Sequence, residues 1–311
     1  MRAAGIEGFG HEVQLLELPT RLTPAADEVV IAVQVAGVGN WDEFVRLGDW
    51  DVGRQAPLAL GVEAAGIVEA IGEDVTTLAP GDEVLTHPLP LREQGAWAEW
   101  LVAPAALVAR KPAAVPWDVA GAFPVPALTA DQALAAASPG PAGEWVLVNG
   151  AGGVTGGLVV QLAASRNANV VATASPMSSE RVRGYGARLV VDYHDPDWPA
   201  RVRDASPGGN GVAAAVNAAR GQAATALRAV ADGGRLATIT GDPPPGERDV
   251  TIADVFVQAD GSRLAGLVRS LAEGLLTLDV APSLPLAEAG AALDRAVSGR
   301  GGGAGVLRLR P

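Results

Sequence analysis

Residues 146 to 163 read VLVNGAGGVTGGLVVQLA: an apolar run, a glycine-rich turn, and a second apolar run with helical spacing. So bare a backbone raises the question of what must come close to it. Where a strand turns into a helix through small residues, backbone N–H groups and the positive end of the helix face one point, and the missing side chains leave room for a pyrophosphate. Ala151, Gly153 and Gly156 occupy the three fingerprint positions, an A-x-G-x-x-G variant, and Gly157 adds room for the helix to pack on the sheet. Glycine turns also end strands for purely steric reasons, so the context matters. The turn follows a predicted strand, opens a predicted helix and precedes a second strand, VVATAS, at 170–175. Ala151, Gly152, Gly153, Val154 and Thr155 are therefore the expected phosphate cradle.

The end of the second strand bears on which nucleotide. A carboxylate there would hold the ribose 2′-hydroxyl of NAD, but the chain has Ser175 followed by Ser178, Ser179, Arg181 and Arg183. Hydroxyls and guanidinium groups suit a 2′-phosphate, which favours NADPH over NADH. The same arginines also suit the solvated face of the next helix, and the residues alone leave both readings open.

Working outward, strands alternate with alanine-rich helical segments from about residue 115. VLVNG, VVATAS, RLVVDY, AAAVNAA and RLATITG read as strands, and VTGGLVVQLAASRN, SSERVRGYGA and GQAATALRAVADGG (221–234) as helices. That rhythm implies a parallel sheet with helices on both faces. Before it, residues 1 to about 112 show short strand-like runs such as VVIAVQVAGV (29–38) and AAGIVEAIG (64–72), punctuated by glycine and proline, which read as a β-rich, barrel-like unit.

With 311 residues, 49% hydrophobic and 19% charged, the chain suits a two-domain globular protein. A net charge of -12 with scattered cations argues against nucleic acid and anionic membrane as partners. Cysteine is absent, which excludes disulfides, thiolate nucleophiles and cysteine-ligated metal, and the three histidines, His11, His87 and His194, have no metal-ligand spacing. With no apolar run of spanning length and no signal-peptide h-region at the start, the expected address is the cytoplasm.

Six segments in order carry a resemblance: LGVEAAGIVEAIGEDVTTLAPGDEV (60–84), GAWAEWLVAP (95–104), VPWDVAGAFPVPALTADQAL (115–134), NGAGGVTGGLVVQLA (149–163), YGARLVVDY (185–193) and FVQADGSRLAGL (256–267). Together they resemble the zinc-independent quinone oxidoreductase (zeta-crystallin-like) branch of the medium-chain dehydrogenase/reductase superfamily. The resemblance implies an α/β protein: a GroES-like β-rich partial barrel as substrate domain over 1–115, completed by 276–311, and a Rossmann doubly wound parallel sheet binding NADP over 116–275. It implies Thr129 near the nicotinamide, Ser175, Arg181 and Tyr193 around the 2′-phosphate, and Asn217, Thr240, Phe256 and Val257 lining the cofactor. Asn40, Trp41 and Asp42 in GVGNWDEFVRLG (37–48) match the family's segment beside the nicotinamide and are the candidate catalytic residues. Their register departs from the family: with Asp42 aligned, the family's asparagine falls on Gly39, and Asn40 replaces its proline. Asp42 and Arg46 also read as a buried loop-to-helix anchor. His87, Trp97 and Trp100 are candidate contacts for an aromatic acceptor.

Zinc members of the superfamily carry cysteine-histidine where this chain has Gly39-Asn40, and G-H-E where it has Gly61-Val62-Glu63. Glycine and valine donate nothing to a metal, so no metal is expected. Hydride acceptors that need no strong Lewis acid are quinones and α,β-unsaturated carbonyls, whose developing charge is delocalised. The leading expectation is thus NADPH-dependent reduction of such a small molecule. The alternatives are a pathway-specific enoyl or natural-product reductase, and a nucleotide-binding non-redox protein or cyclase. The resemblance also suggests homodimers paired through Rossmann sheet edges, with VFVQADG (255–261) as the seam.

Overall fold

A computed structural model describes every residue except Pro139, Pro141, Arg300, Gly301 and Pro311. Two of those five fall in the glycine run GRGGGAG (299–305), and Pro311 ends the tail 276–311. The chain divides into two compact units, Met1–Leu128 with Gln258–Pro311, and Thr129–Val257.

In chain order the first unit contains β1 (Arg2–Ile6), β2 (Gln14–Glu17), β3 (Glu28–Val38), α1 (Trp41–Leu47), β4 (Leu58–Ala59), β5 (Ala64–Ile71), β6 (Glu83–Thr86), β7 (Trp100–Pro104), β8 (Val108–Arg110) and α2 (Trp117–Gly121). Then α3 (Pro124–Ala137) leads from this unit into the next. The valine- and alanine-rich β3, buried along nearly its whole length, is the hub, pairing antiparallel with β5 and β7. Strands buried on both faces read as unbroken apolar runs, and EVVIAVQVAGV is one.

The second unit contains β9 (Trp145–Asn149), α4 (Val154–Ser165), β10 (Asn169–Ala174), α5 (Pro176–Gly184), β11 (Leu189–Asp192), α6 (Trp198–Ala205), β12 (Val212–Asn217), α7 (Ala223–Leu227), β13 (Val230–Thr238) and β14 (Thr251–Asp254). Its sheet runs β11-β10-β9-β12-β13-β14 with every pair parallel. The strand order reverses between β9 and β12, which makes the sheet doubly wound with its switch point at the glycine turn. Under α6 and α7, Trp198, Val202, Ala226 and Leu227 pack on Leu147, Val171, Ala215 and Leu236 of the sheet.

The chain then returns to the first unit with α8 (Gly261–Ala272), β15 (Leu284–Pro285), α9 (Ala289–Val297) and β16 (Gly305–Arg308), and β16 pairs antiparallel with β3.

Sequence places the changeovers at 115/116 and 275/276; the compact units divide at Leu128/Thr129 and Val257/Gln258. The reason is packing: α2 lies on β3 and β5, and α8 lies on β8 with Leu264, Leu267 and Val268 buried. The helix expected over 221–234 ends at Leu227, because Val230 already pairs with Val212 and starts β13. Gly233, with φ of 70°, and Gly234 take up the irregularity that follows in that strand. The strand nearest the expected seam is the edge strand Thr251–Asp254, just before VFVQADG, which pairs with β13.

Candidate functional site

β9 ends at Asn149, and Gly150 turns the chain with a φ of 85°, a conformation that glycine adopts without strain. Thr173 on the neighbouring strand holds that turn: its hydroxyl accepts from the Gly150 N–H at 2.9 Å and its carbonyl from the Ala151 N–H at 3.0 Å. Helix α4 then starts after Gly153 without a side-chain cap, so the N–H groups of its first turn are open to a ligand. The glycines divide the work. A Cβ on Gly156 would lie 2.2 Å from the Gly150 carbonyl oxygen, so this position is bare to let helix meet turn. Gly153 is exposed, and a Cβ there would meet nothing closer than 3.5 Å, so this position is bare toward solvent. A cradle that side chains would fill, lined by uncommitted N–H groups, fits a dinucleotide pyrophosphate.

Ser175, the N-cap of α5, shares a 3.0 Å hydrogen bond between hydroxyls with Ser178, and a Cβ on Gly152 would lie 2.7 Å from that Ser178 Oγ. Arg181 is exposed and donates from Nη2 to the Gly152 carbonyl at 2.8 Å. The structure therefore brings Ser175, Ser178 and Arg181 to the loop of Ala151, Gly152, Gly153, Val154 and Thr155. Because all six strands are parallel, their carboxyl ends share one sheet edge, and Tyr193, Asn217, Thr240, Phe256 and Val257 all follow along it. Tyr193 is half exposed, with its ring 4.2 Å from that of His194, and Phe256 is exposed. Thr129 is partly exposed on α3. Asn217 differs from these: its side chain is wholly buried, and both its amide hydrogens go to Thr238 and Thr240 at 3.1 Å. Its side chain therefore braces the strand ends.

In the first unit, the three candidate catalytic residues part company. Asn40 is exposed. Trp41 folds its ring over Gly39, where an added Cβ would lie 2.1 Å from the indole. Asp42 is wholly buried, and its Oδ2 accepts from the Gly39 N–H at 2.9 Å, so it anchors that turn. Arg46 does not join it; that guanidinium pairs with Glu43 at 2.7 Å and caps the carbonyls of Gly10 and His11. Burial pushes the Asp42 carboxyl up to about 8, with the Gly39 and Gly61 N–H groups opposing. Burial likewise raises Glu63 well above the usual carboxylate range, against its hydrogen bond from the Val125 N–H at 2.7 Å and with the charge of Asp42 adding to the rise. His87, expected near an acceptor, is a core residue: its Nδ1 donates to the Val62 carbonyl at 2.6 Å, and burial lowers its pKa to about 4. Trp97 is also core, with Nε1 donating to the Gly37 carbonyl at 2.9 Å. Trp100 lies under the Arg310 guanidinium, 4.7 Å from the ring centroid.

A family model described as the alcohol dehydrogenase GroES-like domain matches residues 25–113, and one described as zinc-binding dehydrogenase matches residues 185–307. An alcohol dehydrogenase of Moraxella sp. is 30% identical over 322 residues, covering 93% of this chain and 89% of the relative. The chain belongs to the medium-chain dehydrogenase/reductase superfamily. A quinone oxidoreductase of Lama guanicoe is 32% identical over 185 residues, covering 58% of this chain and about half, 55%, of the relative. Among solved structures, an NAD-dependent alcohol dehydrogenase matches with a TM-score of 0.89 at 29% identity, each chain covered in full. A mycobacterial protein complexed with NADPH matches with a TM-score of 0.86 at 27% identity, covering 99% of this chain and 100% of the other.

The zinc implied by the second family model does not fit this member of the superfamily. Gly39 and Val62 stand where the zinc branch has ligands, Trp41 packs over the first, and His87 is committed to the carbonyl of the second. Among the described residues no three acidic, histidine or cysteine side chains form a metal-binding group.

Sequence reasoning missed Asn149, Thr173, Thr238 and Asp242, which tie the strand ends together. The one local signal is a polar residue within or closing each apolar strand, VLVN, VVATA and RLAT; which of them would become neighbours is not written there.

Proposed function

We propose that the protein is an NADPH-dependent oxidoreductase that reduces a quinone or an α,β-unsaturated carbonyl compound without a metal. The observation that carries the reading is the uncapped glycine loop at the switch point with Ser175, Ser178 and Arg181 drawn up to it. The N–H groups of Gly152, Val154 and Thr155 would take the pyrophosphate, and the two hydroxyls and the guanidinium the 2′-phosphate. When bound, the reduced nicotinamide supplies the hydride. Tyr193 would stand beside the 2′-phosphate, and Phe256 and Val257, along the same sheet edge, would offer apolar surface to the rest of the cofactor. A carboxylate at Ser175 would repel a 2′-phosphate, and its absence favours NADPH over NADH.

On the acceptor side, Asn40 is the exposed polar group of the candidate trio, and Asp42 and Trp41 hold its loop. The fitting acceptors are those whose reduced oxygen needs a hydrogen bond rather than a Lewis acid. The reading implies a cytoplasmic enzyme, where reduced cofactor is available, and a homodimer formed at the β14 edge, which light scattering would measure.

The test is calorimetry with NADPH and NADH, followed by spectrophotometric assay against simple quinones and enones with and without a chelator. NADPH is expected to bind, and its oxidation to be chelator-insensitive. Arg181→Ala is expected to weaken NADPH about tenfold to a hundredfold and NADH little. Chelator-sensitive oxidation of alcohols would overturn the reading, and tight NADPH binding without turnover across the panel would make this a non-redox member.

A further inference from the structure

The buried polar groups at the carboxyl ends of the second unit's strands form one continuous chain of hydrogen bonds. The Gly150 N–H donates to Thr173 Oγ1 at 2.9 Å, and that hydroxyl donates to Asn149 Oδ1 at 2.6 Å. Asn149 Nδ2 donates to Asn217 Oδ1 at 2.8 Å, and Asn217 Nδ2 to the hydroxyls of Thr238 and Thr240, each at 3.1 Å. The two threonine hydroxyls are 2.9 Å apart, and Thr240 donates onward to the Asp242 carboxylate, whose other oxygen accepts from the Gly221 N–H at 2.7 Å. The chain thus crosses β10, β9, β12 and β13 in their order within the sheet. Thr173, Asn149, Asn217 and Thr238 are buried to within 2% of completely.

Every donor points the same way, toward the carboxylate. An aligned chain in a low-dielectric interior strengthens each of its bonds, and each Asn amide is held: a flip of Asn149 would set its oxygen against that of Asn217, and a flip of Asn217 would set its amide donor against Asn149 Nδ2 and the Ala219 N–H. We infer that Thr173 is a positioning residue: it takes the Gly150 N–H at the root of the glycine loop, and Asn149, Asn217 and Asp242 fix the orientation of its hydroxyl, so the relay sets the loop's readiness for a dinucleotide. This rests on the NADPH reading for its ligand, though not for its geometry. Among the described residues Thr173 bonds to the loop at Gly150 and Ala151, so its effect on a bound cofactor is indirect.

Hydrogen-exchange NMR on the ligand-free protein reads the Gly150 amide directly. Thr173→Val is expected to speed its exchange about tenfold and to weaken NADPH in calorimetry about tenfold, with kcat at saturating cofactor within about twofold; Thr173→Ser is expected to restore both. Asp242→Asn, at the half-buried far end, keeps the test open if the valine variant does not fold, and is expected to speed the same amide about threefold. Wild-type exchange and wild-type affinity in every folded variant would overturn the relay. Should the wild-type protein bind no pyridine nucleotide, the functional reading falls, and the Gly150 exchange alone decides the relay: faster in the variants supports it, unchanged refutes it.

Discussion

Two residues of one turn illustrate how a single motif carries two physical demands. Gly153 faces solvent and Gly156 faces the Gly150 carbonyl, so the same substitution has opposite consequences at the two positions. Gly153→Ala is expected to leave thermal stability unchanged while weakening NADPH about tenfold by intruding on the cradle. Gly156→Ala is expected to destabilise by about 1–3 kcal/mol, because turn or helix must shift to admit a methyl group. Differential scanning calorimetry and nucleotide titration of the two variants separate access from packing. The motif was visible in the sequence; which glycine served which demand was not, since that depends on the distance between a helix start and a carbonyl six residues earlier in the chain.

At the scale of elements, the instructive case is α8. Its period places Leu264, Leu267 and Val268 on one face, and the sequence boundary at 275/276 puts it with the nucleotide-binding sheet. It packs instead on β8, where Gly261 sits so close to the Ala106 carbonyl that a Cβ would lie 2.4 Å away. Leu264→Ala is therefore expected to cost about 2–5 kcal/mol, read as loss of the β-rich unit in chemical denaturation followed by tryptophan fluorescence. The shortened α7 teaches the same lesson in reverse: alanine-rich sequence favours helix, and strand pairing from Val230 onward overrides it.

For the molecule as a whole, the buried titratable groups of the first unit set how stability varies with pH. Asp42 keeps its proton in the fold up to about 8, while the unfolded chain releases it near the ordinary 3.8. Between those values the native state binds the extra proton, so stability falls as pH rises, and Glu63 acts in the same direction. His87, lowered from 6.5 to about 4, is neutral in the fold and charged when unfolded below 6.5, so its contribution is lost as pH falls through that window. Asp42→Asn keeps the side chain's size and is expected to flatten the decline between pH 5 and 8 by at most about 1.4 kcal/mol per pH unit, measured by urea denaturation across that range. What the sequence determined by itself was the alternation of strand and helix, the glycine loop and the hydroxyl-arginine cluster after it. Each is a local matter, decided by side-chain period and backbone sterics within a few residues. Only the tertiary structure decided that Asp42, Glu63 and His87 are core groups, that α2 and α8 belong to the β-rich unit, and that Thr173, Asn149, Asn217 and Asp242 form one chain of hydrogen bonds. Burial and hydrogen-bond partners depend on which strands and helices lie side by side, and parallel sheets bring together residues far apart in the chain.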